Sequence, residues 1–509
     1  MRSKLKKLIF SRFFVVAILI LVQFLILFVT SVQFSRYFVY YYLFAVAVSL
    51  VVVLRVVSSK RNMAYKLAWS VIILVFPAFG AAIYLIFCGN RLSRRALSKM
   101  RFMEELTQRE LHADGMQFTS DECADSASLR QMRYIESASG CPPCENADTR
   151  YFSSGEALFP VLCEELRKAE KYIFLEYFII SGGEMWDRIH AILLDKVRSG
   201  VDVRLIYDDI GCIMSLKRNF AKTLENEGIK CRVFHRFIPL LSSRQNNRDH
   251  RKICVIDGTC AFTGGINLAD EYINRIERFG YWKDNAILVR GPAAWSFSVM
   301  FLTMWDYLNG EQDSAGYAAF RPAEQNIATT HGIVQPYADN PLDNEPVGEN
   351  VYLGMLAAAE KYVWITTPYL IIDEQMERAL CRAVKSGIDV RIVTPGIPDK
   401  RIVKETTKAF YPELIRNGVK IYEYYPGFIH AKTFLCDDRY AAVGSVNLDY
   451  RSLYLHFECG VWMTDVPCMT DMKADFEDIF AHAHIVEEEK PGFLRLIFRG
   501  VLELIAPLL

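Results

Sequence analysis

The chain has 509 residues, 52% of them hydrophobic, and its mean hydropathy is +0.12. It is too long for one ordinary domain and too apolar for a purely soluble protein, and its composition excludes a disordered, collagenous or disulfide-rich secreted chain. The 13 cysteines are odd in number and scattered along the chain, which predicts reduced thiols in a cytosolic compartment.

Charge is distributed unevenly, although 59 basic side chains balance 59 acidic ones. Residues 1–101 contain 15 basic residues and no acidic one, so the remaining 408 residues carry a net charge of −15. An acidic body is a poor electrostatic partner for nucleic acid, whereas a basic segment suits an anionic lipid surface. The charge pattern therefore predicts a membrane partner and no nucleic acid.

Three apolar stretches within residues 1–101 predict an N-terminal membrane segment of two or three helices. Residues 13–34 would be about 33 Å long as a helix, which is enough to cross the core of a bilayer. Residues 37–54 form a second apolar stretch, and residues 67–88 form a third that Pro77 and Gly80 interrupt. The first stretch is too long for the core of a cleaved signal peptide, so we interpret it as an anchor.

Three clusters of basic residues predict the orientation of this segment. One precedes the first apolar stretch, one precedes the third and one follows the third. Two full spans plus a third segment that returns at Pro77 and Gly80 would keep all three clusters inside, as the positive-inside rule requires. Three full spans are the alternative. We expect a multi-pass membrane protein whose catalytic body faces the cytoplasm.

Beyond residue 150 the chain repeats itself. The segment AEKYI at 169–173 recurs as AEKYV at 359–363, and SGVDVRLI at 199–206 recurs as SGIDVRIV at 386–393. In each half, strand-like segments alternate with amphipathic helices, which is typical of an α/β fold with mixed sheets. We predict two such halves, residues 102–330 and 331–490, packed about a pseudo-twofold axis. Residues 309–346 are predicted to connect them, and residues 102–150 to be irregular.

Each half also contains the pattern His-x-Lys-x-x-x-x-Asp, followed by a glycine turn that ends in asparagine. The candidate site residues are His250, Lys252, Asp257 and Asn267 in the first half, and His430, Lys432, Asp437, Ser445 and Asn447 in the second. A histidine and a lysine two apart on a strand lie on the same face, which puts a nucleophile or acid beside a positive charge. Hydroxyl and amide groups can donate hydrogen bonds to phosphoryl oxygens without adding negative charge. The pattern suits a phosphodiester substrate, and its duplication indicates one shared site.

These paired motifs resemble the signature of the phospholipase D superfamily over about residues 150–490. The segments NRDHRK at 247–252 and GSVNLDYRS at 444–452 are similar to those of the bacterial cardiolipin synthase family, as is the apolar lead from Leu67 to Arg91. Two positions depart from the family pattern: His456 stands where the family usually has asparagine, and Ala286 where it often has histidine. Neither lies in the paired motifs, so they bear on substrate preference rather than on the class of reaction.

The resemblance implies transfer of a phosphatidyl group from one phosphatidylglycerol to another, which gives cardiolipin and glycerol at a bacterial cell membrane rich in anionic lipids. One histidine would form a phosphatidyl-histidine, and the other would protonate the leaving glycerol and deprotonate the incoming hydroxyl. The superfamily favours His250 as the nucleophile and His430 as the acid/base. Lys252, Lys432 and the two asparagines would hold the phosphoryl oxygens, and the scheme requires neither a metal nor a cofactor.

Three carboxylates are candidates for orienting the catalytic histidines. Asp257 and Asp437 follow their histidines by seven residues, and the resemblance favours an orienting role across the site, with a structural role in a turn as the alternative. Glu458 lies on an apolar strand, where a buried carboxylate needs a partner. We expect Glu458 to orient a catalytic histidine.

The C-terminal residues 491–509 form a further predicted unit. Arg495, Arg499 and Glu503 recur every four residues on an otherwise apolar helix. This spacing predicts an amphipathic helix at the membrane interface, and packing against the catalytic body is the alternative.

Three other functions share some of these features. A hydrolytic phospholipase D would use the same residues with water as the acceptor, and a nuclease would need a basic groove that the acidic body disfavours. A non-catalytic membrane scaffold would be expected to have lost at least one motif, yet both are intact. The sequence indicates no particular oligomeric state.

Overall fold

The computed structural model describes residues 21–26, 28, 29, 32, 38–88, 94–112, 125–145, 147–237, 246–310, 316–322, 331–488 and 492–508. Most of the predicted span 13–34 lies outside these residues. The second and third apolar stretches are helices α1 (Phe38–Val57), α2 (Met63–Val75) and α3 (Pro77–Cys88). Pro77 begins α3 because proline lacks the N–H that α2 would need in order to continue.

Within the described ranges, no helix combines the length and the apolar character that crossing a membrane requires. The predicted span at 37–54 is therefore not supported by the structure, nor is the alternative of a full span at 67–88. Helices α1 to α3 pack on one another around a small apolar cluster that includes Val56, Trp69 and Ile73.

The prediction that residues 102–150 are irregular is wrong. This region contains most of α4 (Arg94–Leu111) and all of α5 (Ser126–Ser139). The Asp125 carboxylate accepts the N–H groups of residues 127 and 128 at the start of α5, and Gly140 ends the helix at a φ of 74°.

The first half is built on a seven-stranded mixed sheet in the order β1-β9-β7-β6-β2-β3-β4. The strands are β1 (Asp148–Phe152), β2 (Tyr172–Tyr177), β3 (Asp202–Asp208), β4 (Lys230–Phe234), β6 (Lys252–Ile256), β7 (Cys260–Gly264) and β9 (Ala286–Arg290). Short strands β5 (Arg248–Asp249) and β8 (Tyr281–Lys283) pair outside it. The helices are α6 (Gly155–Lys168), α7 (Glu184–Arg198), α8 (Phe220–Asn226) and α9 (Pro292–Asn309).

The second half repeats this plan in the order β10-β19-β17-β16-β11-β13-β14-β20. The strands are β10 (Ile333–Asp339), β11 (Tyr362–Thr366), β13 (Asp389–Pro395), β14 (Lys420–Tyr424), β16 (Thr433–Cys436), β17 (Tyr440–Gly444), β19 (His456–Thr464) and β20 (Ala483–Ile485), with β12 (Leu370–Ile371), β15 (Gly427–Ile429) and β18 (Leu448–Asp449) outside that order. The helices are α10 (Val347–Ala358), α11 (Glu374–Lys385), α12 (Arg401–Arg416), α13 (Tyr450–Tyr454), α14 (Met469–Ala481) and α15 (Phe493–Ile505).

The predicted α/β architecture of two repeated halves is confirmed, with one difference. Residues 309–346 were expected to be a connection, but they include β10, which pairs antiparallel with β19 along its whole length. The halves also exchange short strands in a symmetric way: β5 pairs with the start of β19, and β15 pairs with β8. One apolar core contains residues of both sheets, such as Val289 and Val461, so the two halves share an interior.

Candidate active site

The two exchanged strands bring each histidine to the other half of the molecule. The His250 N–H donates to the carbonyl of Phe457 at 2.9 Å, and the His430 N–H donates to the carbonyl of Lys283 at 2.6 Å. In each case the residue that follows this carbonyl in the sequence, Glu458 or Asp284, carries a carboxylate. The fold therefore sets each imidazole beside an acid that is distant in sequence.

Glu458 is the acid beside His250. Its two carboxylate oxygens lie 2.8 and 3.0 Å from His250 Nδ1, and its side chain is fully buried. Burial opposes ionisation of Glu458, but interaction with His250 and Lys252 outweighs burial and lowers the pKa of the carboxyl. The predicted partner of Glu458 is thus a catalytic histidine of the other half.

Asp284 is the corresponding acid beside His430, and sequence reasoning did not identify it. Its Oδ2 lies 2.7 Å from His430 Nδ1, and its side chain is fully buried. Burial would raise the pKa of Asp284, but His430 and Lys432 together lower it. Asp284 lies between β8 and β9, outside both strands, so the strand pattern that identified Glu458 does not extend to it.

The two histidines are set up to be neutral at physiological pH. Burial lowers the pKa of His250 to about 3 and that of His430 to about 4. A carboxylate can only accept a hydrogen bond, so each neutral ring carries its proton on Nδ1. The lone pair of Nε2 is then free to act on a substrate.

Lys252 and Lys432 contribute the positive charge of the centre. Each ammonium group is buried and donates to the carbonyl of the histidine two residues earlier, at 2.5 Å for Lys252. Burial lowers the pKa of Lys252 to about 8 and that of Lys432 to about 7. Lys252 also lowers the pKa of both His430 and Lys432, which places the groups of the two halves in one electrostatic centre.

The two asparagines differ in what they bind. Asn267 is committed to the fold, since its Oδ1 accepts the N–H of Ile179 and its Nδ2 donates to the Tyr272 hydroxyl. The buried Oδ1 of Asn447 has no hydrogen-bond partner within the described part of the chain. Asn447 is therefore the better candidate for a contact with substrate.

Ser445 supports Glu458, and its predicted role at the phosphoryl group is not favoured by its contacts. Its hydroxyl donates to Glu458 Oε2 at 2.5 Å and lies 3.1 Å from the carbonyl of Cys459. Ser452 makes the equivalent contact with Glu458 Oε1 at 2.5 Å. The two hydroxyls hold the carboxylate that in turn holds His250.

The predicted orienting role of Asp257 and Asp437 is wrong. The Asp257 carboxylate accepts the backbone N–H groups of residues 170, 171 and 172 at 2.8 Å each. Asp437 does the same for residues 360, 361 and 362 at 2.6 to 2.9 Å. Both residues adopt a positive φ in the turn after the His-Lys strand, so they fix the end of that strand rather than an imidazole.

Aromatic rings surround the two histidines. The Phe178 ring centroid lies 4.9 Å from that of His250, and the Trp282 centroid lies 5.5 Å from that of His430. His456, one of the departures from the family pattern, lies 5.5 Å from His250. His250, His456 and Glu458 also present donor atoms suited to a metal ion.

Comparison with known proteins agrees with this geometry. A family model described as cardiolipin synthase, phospholipase D-like domain, matches residues 162–293 and 352–480, and one described as phospholipase D-nuclease N-terminal matches residues 44–87. The chain is 32% identical over 460 residues to a cardiolipin synthase of Geobacillus sp. strain WCH70, covering 88% of this chain and 90% of that relative. It is 43% identical over 469 residues to an uncharacterized protein of Streptococcus mutans, covering 90% of this chain and 99% of that relative.

Among solved structures, phosphatidylserine synthase of Haemophilus influenzae is similar with a TM-score of 0.56 at 14% identity, covering 75% of this chain and all of that one. That likeness shows a shared fold. The repeated halves with their paired His-Lys motifs define a phospholipase D-type protein. More narrowly, the chain belongs to the phospholipase D-like cardiolipin synthase family.

Proposed function

We propose that this protein is a cardiolipin synthase that transfers a phosphatidyl group between two phosphatidylglycerol molecules and releases glycerol. The observation that carries the proposal is the pair of buried histidines, each held at Nδ1 by a carboxylate of the other half and each accompanied by a lysine. Two equivalent imidazoles in one centre, each with a lysine beside it, suit a two-step transfer at phosphorus.

In the first step, Nε2 of His250 attacks the phosphorus atom of one phosphatidylglycerol. A nitrogen–phosphorus bond forms, the bond from phosphorus to the glycerol oxygen breaks, and His430 gives its Nε2 proton to that oxygen. His430 must be protonated to do so, and the negative charge of the bound phosphodiester favours this by raising its pKa. The products are phosphatidyl-His250 and free glycerol.

In the second step, His430 is neutral and accepts the proton of a hydroxyl group on the second phosphatidylglycerol. The hydroxyl oxygen bonds to phosphorus and the nitrogen–phosphorus bond breaks, which restores both histidines and yields cardiolipin. Lys252 and Lys432 stabilise the negative charge on the phosphoryl oxygens in both transition states. Glu458 and Asp284 act as positioning residues, since each holds its imidazole in the required tautomer.

Hydrolysis is the second candidate, because water could replace the lipid hydroxyl in the same centre. The two reactions are separated by incubating the purified protein with phosphatidylglycerol and analysing the lipids and the aqueous phase. A synthase gives cardiolipin plus one glycerol per cardiolipin, whereas a phospholipase D gives phosphatidate. Phosphatidate without cardiolipin would overturn the proposal.

We further propose that two terminal segments bring the active site to the membrane of a bacterial cell, with the body formed by residues 102–490 in the cytoplasm. Residues 1–101 would be the membrane segment, supported by the all-basic charge of this region. A reporter fusion or cysteine-labelling experiment that placed residues 102–490 outside the cell would contradict this orientation.

Helix α15 would be the second membrane contact. Its inward face carries Arg499 and Leu502, which are buried, while its outward face exposes a row of large apolar side chains. These are Phe493, Leu494, Leu496, Ile497, Phe498 and Val501, with exposed fractions of 50 to 81%. An apolar outward face is unfavourable in water and favourable at a lipid surface. The inward face contacts α12, so the helix is fixed to the catalytic body as well.

A further inference from the structure

His456 occupies the place that Trp282 has in the other half. Each residue stands two positions before the carboxylate that orients a histidine, and each ring centroid lies 5.5 Å from that histidine. Trp282 Nε1 donates to Asp284 at 3.4 Å. The equivalent atom of His456, Nδ1, lies 3.8 Å from Glu458 Oε1, which is beyond a direct hydrogen bond.

The imidazole of His456 lacks the contacts that a buried polar ring normally has. Both of its nitrogens are buried, and neither has a hydrogen-bond partner among the residues that the structure describes. Buried polar atoms without partners are rare, and each one calls for an explanation. A ligand shared with the neighbouring donors would supply one.

The neighbouring donors are those of a three-residue metal site. Ligand atoms of His250, His456 and Glu458 all lie within 4.8 Å of one another. Glu458 Oε1 is 2.8 Å from His250 Nδ1 and 3.8 Å from His456 Nδ1. Tetrahedral zinc with bonds of about 2.0 to 2.1 Å separates its ligand atoms by about 3.3 Å, and the two observed distances lie on either side of that value.

We propose that His250, His456 and Glu458 bind a divalent transition-metal ion of the zinc type, and that the bound ion blocks the enzyme. Two imidazoles and one carboxylate are a donor set that zinc favours, whereas magnesium and calcium prefer oxygen ligands. Lys252 opposes the added positive charge, so the ion binds more weakly than in a structural zinc site.

Inhibition by the bound ion follows from which nitrogen of His250 carries the ring proton, and this step rests on the proposed function. A metal ion at Nδ1 replaces the proton that this nitrogen donates to Glu458. The neutral ring keeps one proton, which must then reside on Nε2, the atom that attacks phosphorus. No proton is gained or lost, but the lone pair needed for the first step is no longer available. The ion therefore prevents formation of phosphatidyl-His250.

The first measurement is metal binding and needs no lipid. The metal-free full-length protein is titrated with Co²⁺ and observed by visible absorption, and Zn²⁺ is then added in competition. We expect one Co²⁺ per chain with the intense bands of a four-coordinate ion, displaced by Zn²⁺ and not by Mg²⁺. In His456→Asn the affinity should fall at least about tenfold, as is usual on loss of a ligand or of its support.

Two further variants make the result specific. His456→Asp keeps a ligand at this position and should retain binding with an altered spectrum, which shows that loss in His456→Asn does not reflect misfolding. His482→Asn removes an exposed histidine at the C-terminal end of α14 that contacts Asp478 and none of the three ligands, and it should bind like the unaltered protein. Equal binding by the unaltered protein and His456→Asn would overturn the proposal.

The second measurement is inhibition. Zn²⁺ at the concentration that saturates the Co²⁺ site should abolish lipid turnover and adduct formation, and ethylenediaminetetraacetate should restore both. The half-inhibitory concentration, taken relative to each variant's own metal-free activity, should rise at least about tenfold in His456→Asn. Activation by Zn²⁺ would overturn the inhibitory role. Metal binding in a protein without any lipid activity would instead count against the proposed function and leave the site in place.

Discussion

The two sides of the active site share one plan but differ in how the orienting acid is held. On the His250 side, Glu458 also accepts hydroxyl hydrogen bonds from Ser445 and Ser452, both at 2.5 Å. On the His430 side, Asp284 instead accepts the backbone N–H of Asn285 at 2.8 Å and a longer contact from Trp282. Two strong donors fix Glu458 and spread its charge, so it draws the imidazole proton less strongly.

This difference suggests a division of labour. A firmly held imidazole that remains neutral suits a nucleophile, because the reacting nitrogen must stay in line with phosphorus. An imidazole beside a carboxylate that accepts fewer strong hydrogen bonds is easier to protonate, which suits a general acid and base. The contacts thus favour His250 as the nucleophile and His430 as the acid/base, and this assignment stays a prediction.

The strongest test of the difference between the two sides removes each histidine in turn. Either alanine variant should lose turnover by at least about 10⁴-fold, because both steps need both groups. With a substrate whose leaving group needs no proton donor, His430→Ala should form the phosphatidyl adduct on His250 and retain it. His250→Ala should form none. Mass spectrometry of the loaded proteins provides the measurement.

Two results would reverse or remove this assignment. An adduct on His430 in the His250→Ala protein would exchange the two roles. An adduct on any other residue would contradict the mechanism in which one histidine is the nucleophile and the other the acid/base. The unaltered protein loaded in the same way is the control, and its adduct should disappear on addition of phosphatidylglycerol.

The positioning acids should show the next largest effects, on different steps. Glu458→Gln and Asp284→Asn keep the shape of each side chain but can present an amide hydrogen to the imidazole, which disfavours the required tautomer. We expect turnover to fall by roughly 10² to 10⁴-fold in each. Glu458→Gln should mainly slow adduct formation, whereas Asp284→Asn should slow both adduct formation, which releases glycerol, and adduct breakdown. Rapid-quench kinetics separates the steps, and identical effects on both would remove the difference between the two sides.

The sequence predicted one of these acids and not the other. The repeat and its His-Lys pairs were visible because side chains two apart on a strand share a face. Glu458 was identified because it is buried on an apolar strand. Asp284 was missed because it follows its asparagine by 17 residues, whereas Glu458 follows its asparagine by 11, so the repeat offers no aligned position.

The errors have a common physical cause, which is that a spacing does not reveal where a side chain points. Asp257 and Asp437 lie beyond the far end of a five- or four-residue strand from their histidines, where a carboxylate meets backbone N–H groups. Ser445 was expected at the phosphoryl group, but the antiparallel pairing of β17 with β19 places its hydroxyl against Glu458, and the exchange of short strands between the halves brings His250 to the same carboxylate. That exchange depends on tertiary packing and has no signature in a single sequence.

The lysines allow a test of the charge in the centre through pH. Burial lowers the pKa of Lys432 to about 7 and that of Lys252 to about 8, so the free enzyme loses positive charge as pH rises through these values. We expect kcat/KM for phosphatidylglycerol to fall more steeply above about pH 7, by about a further tenfold per pH unit beyond the decline that deprotonation of His430 causes, once the charge of Lys432 limits the rate. Lys432→Arg keeps its charge and should move the start of this decline to about pH 8. An unchanged profile would show that Lys432 does not set it.

Helix α15 should affect activity less, and in a way that depends on how the lipid is presented. Removing residues 492–509 should lower activity on bilayer vesicles roughly several-fold while activity on detergent-dispersed lipid survives, since the active site is intact. Replacing Leu494 and Phe498 by serine is a matched control that keeps the buried Arg499 and Leu502. The control should reproduce the vesicle defect. Equal losses on both forms of lipid would indicate that α15 serves mainly to stabilise the body.

The smallest effect on activity is expected where the two halves are most alike, at Asp257 and Asp437. Each carboxylate accepts three backbone N–H groups, and each residue has a φ of 52° or 57°, which most side chains disfavour. Alanine at either position removes the acceptor and adds backbone strain, so the free energy of unfolding should fall by about 1 to 3 kcal/mol. Asparagine keeps one acceptor oxygen and tolerates a positive φ, so it should cost less. Denaturant unfolding measures the stability, and turnover per folded molecule should stay within about twofold of the unaltered protein, because neither carboxylate reaches an imidazole. A loss of turnover comparable to that of Glu458→Gln would instead show that these aspartates take part in catalysis.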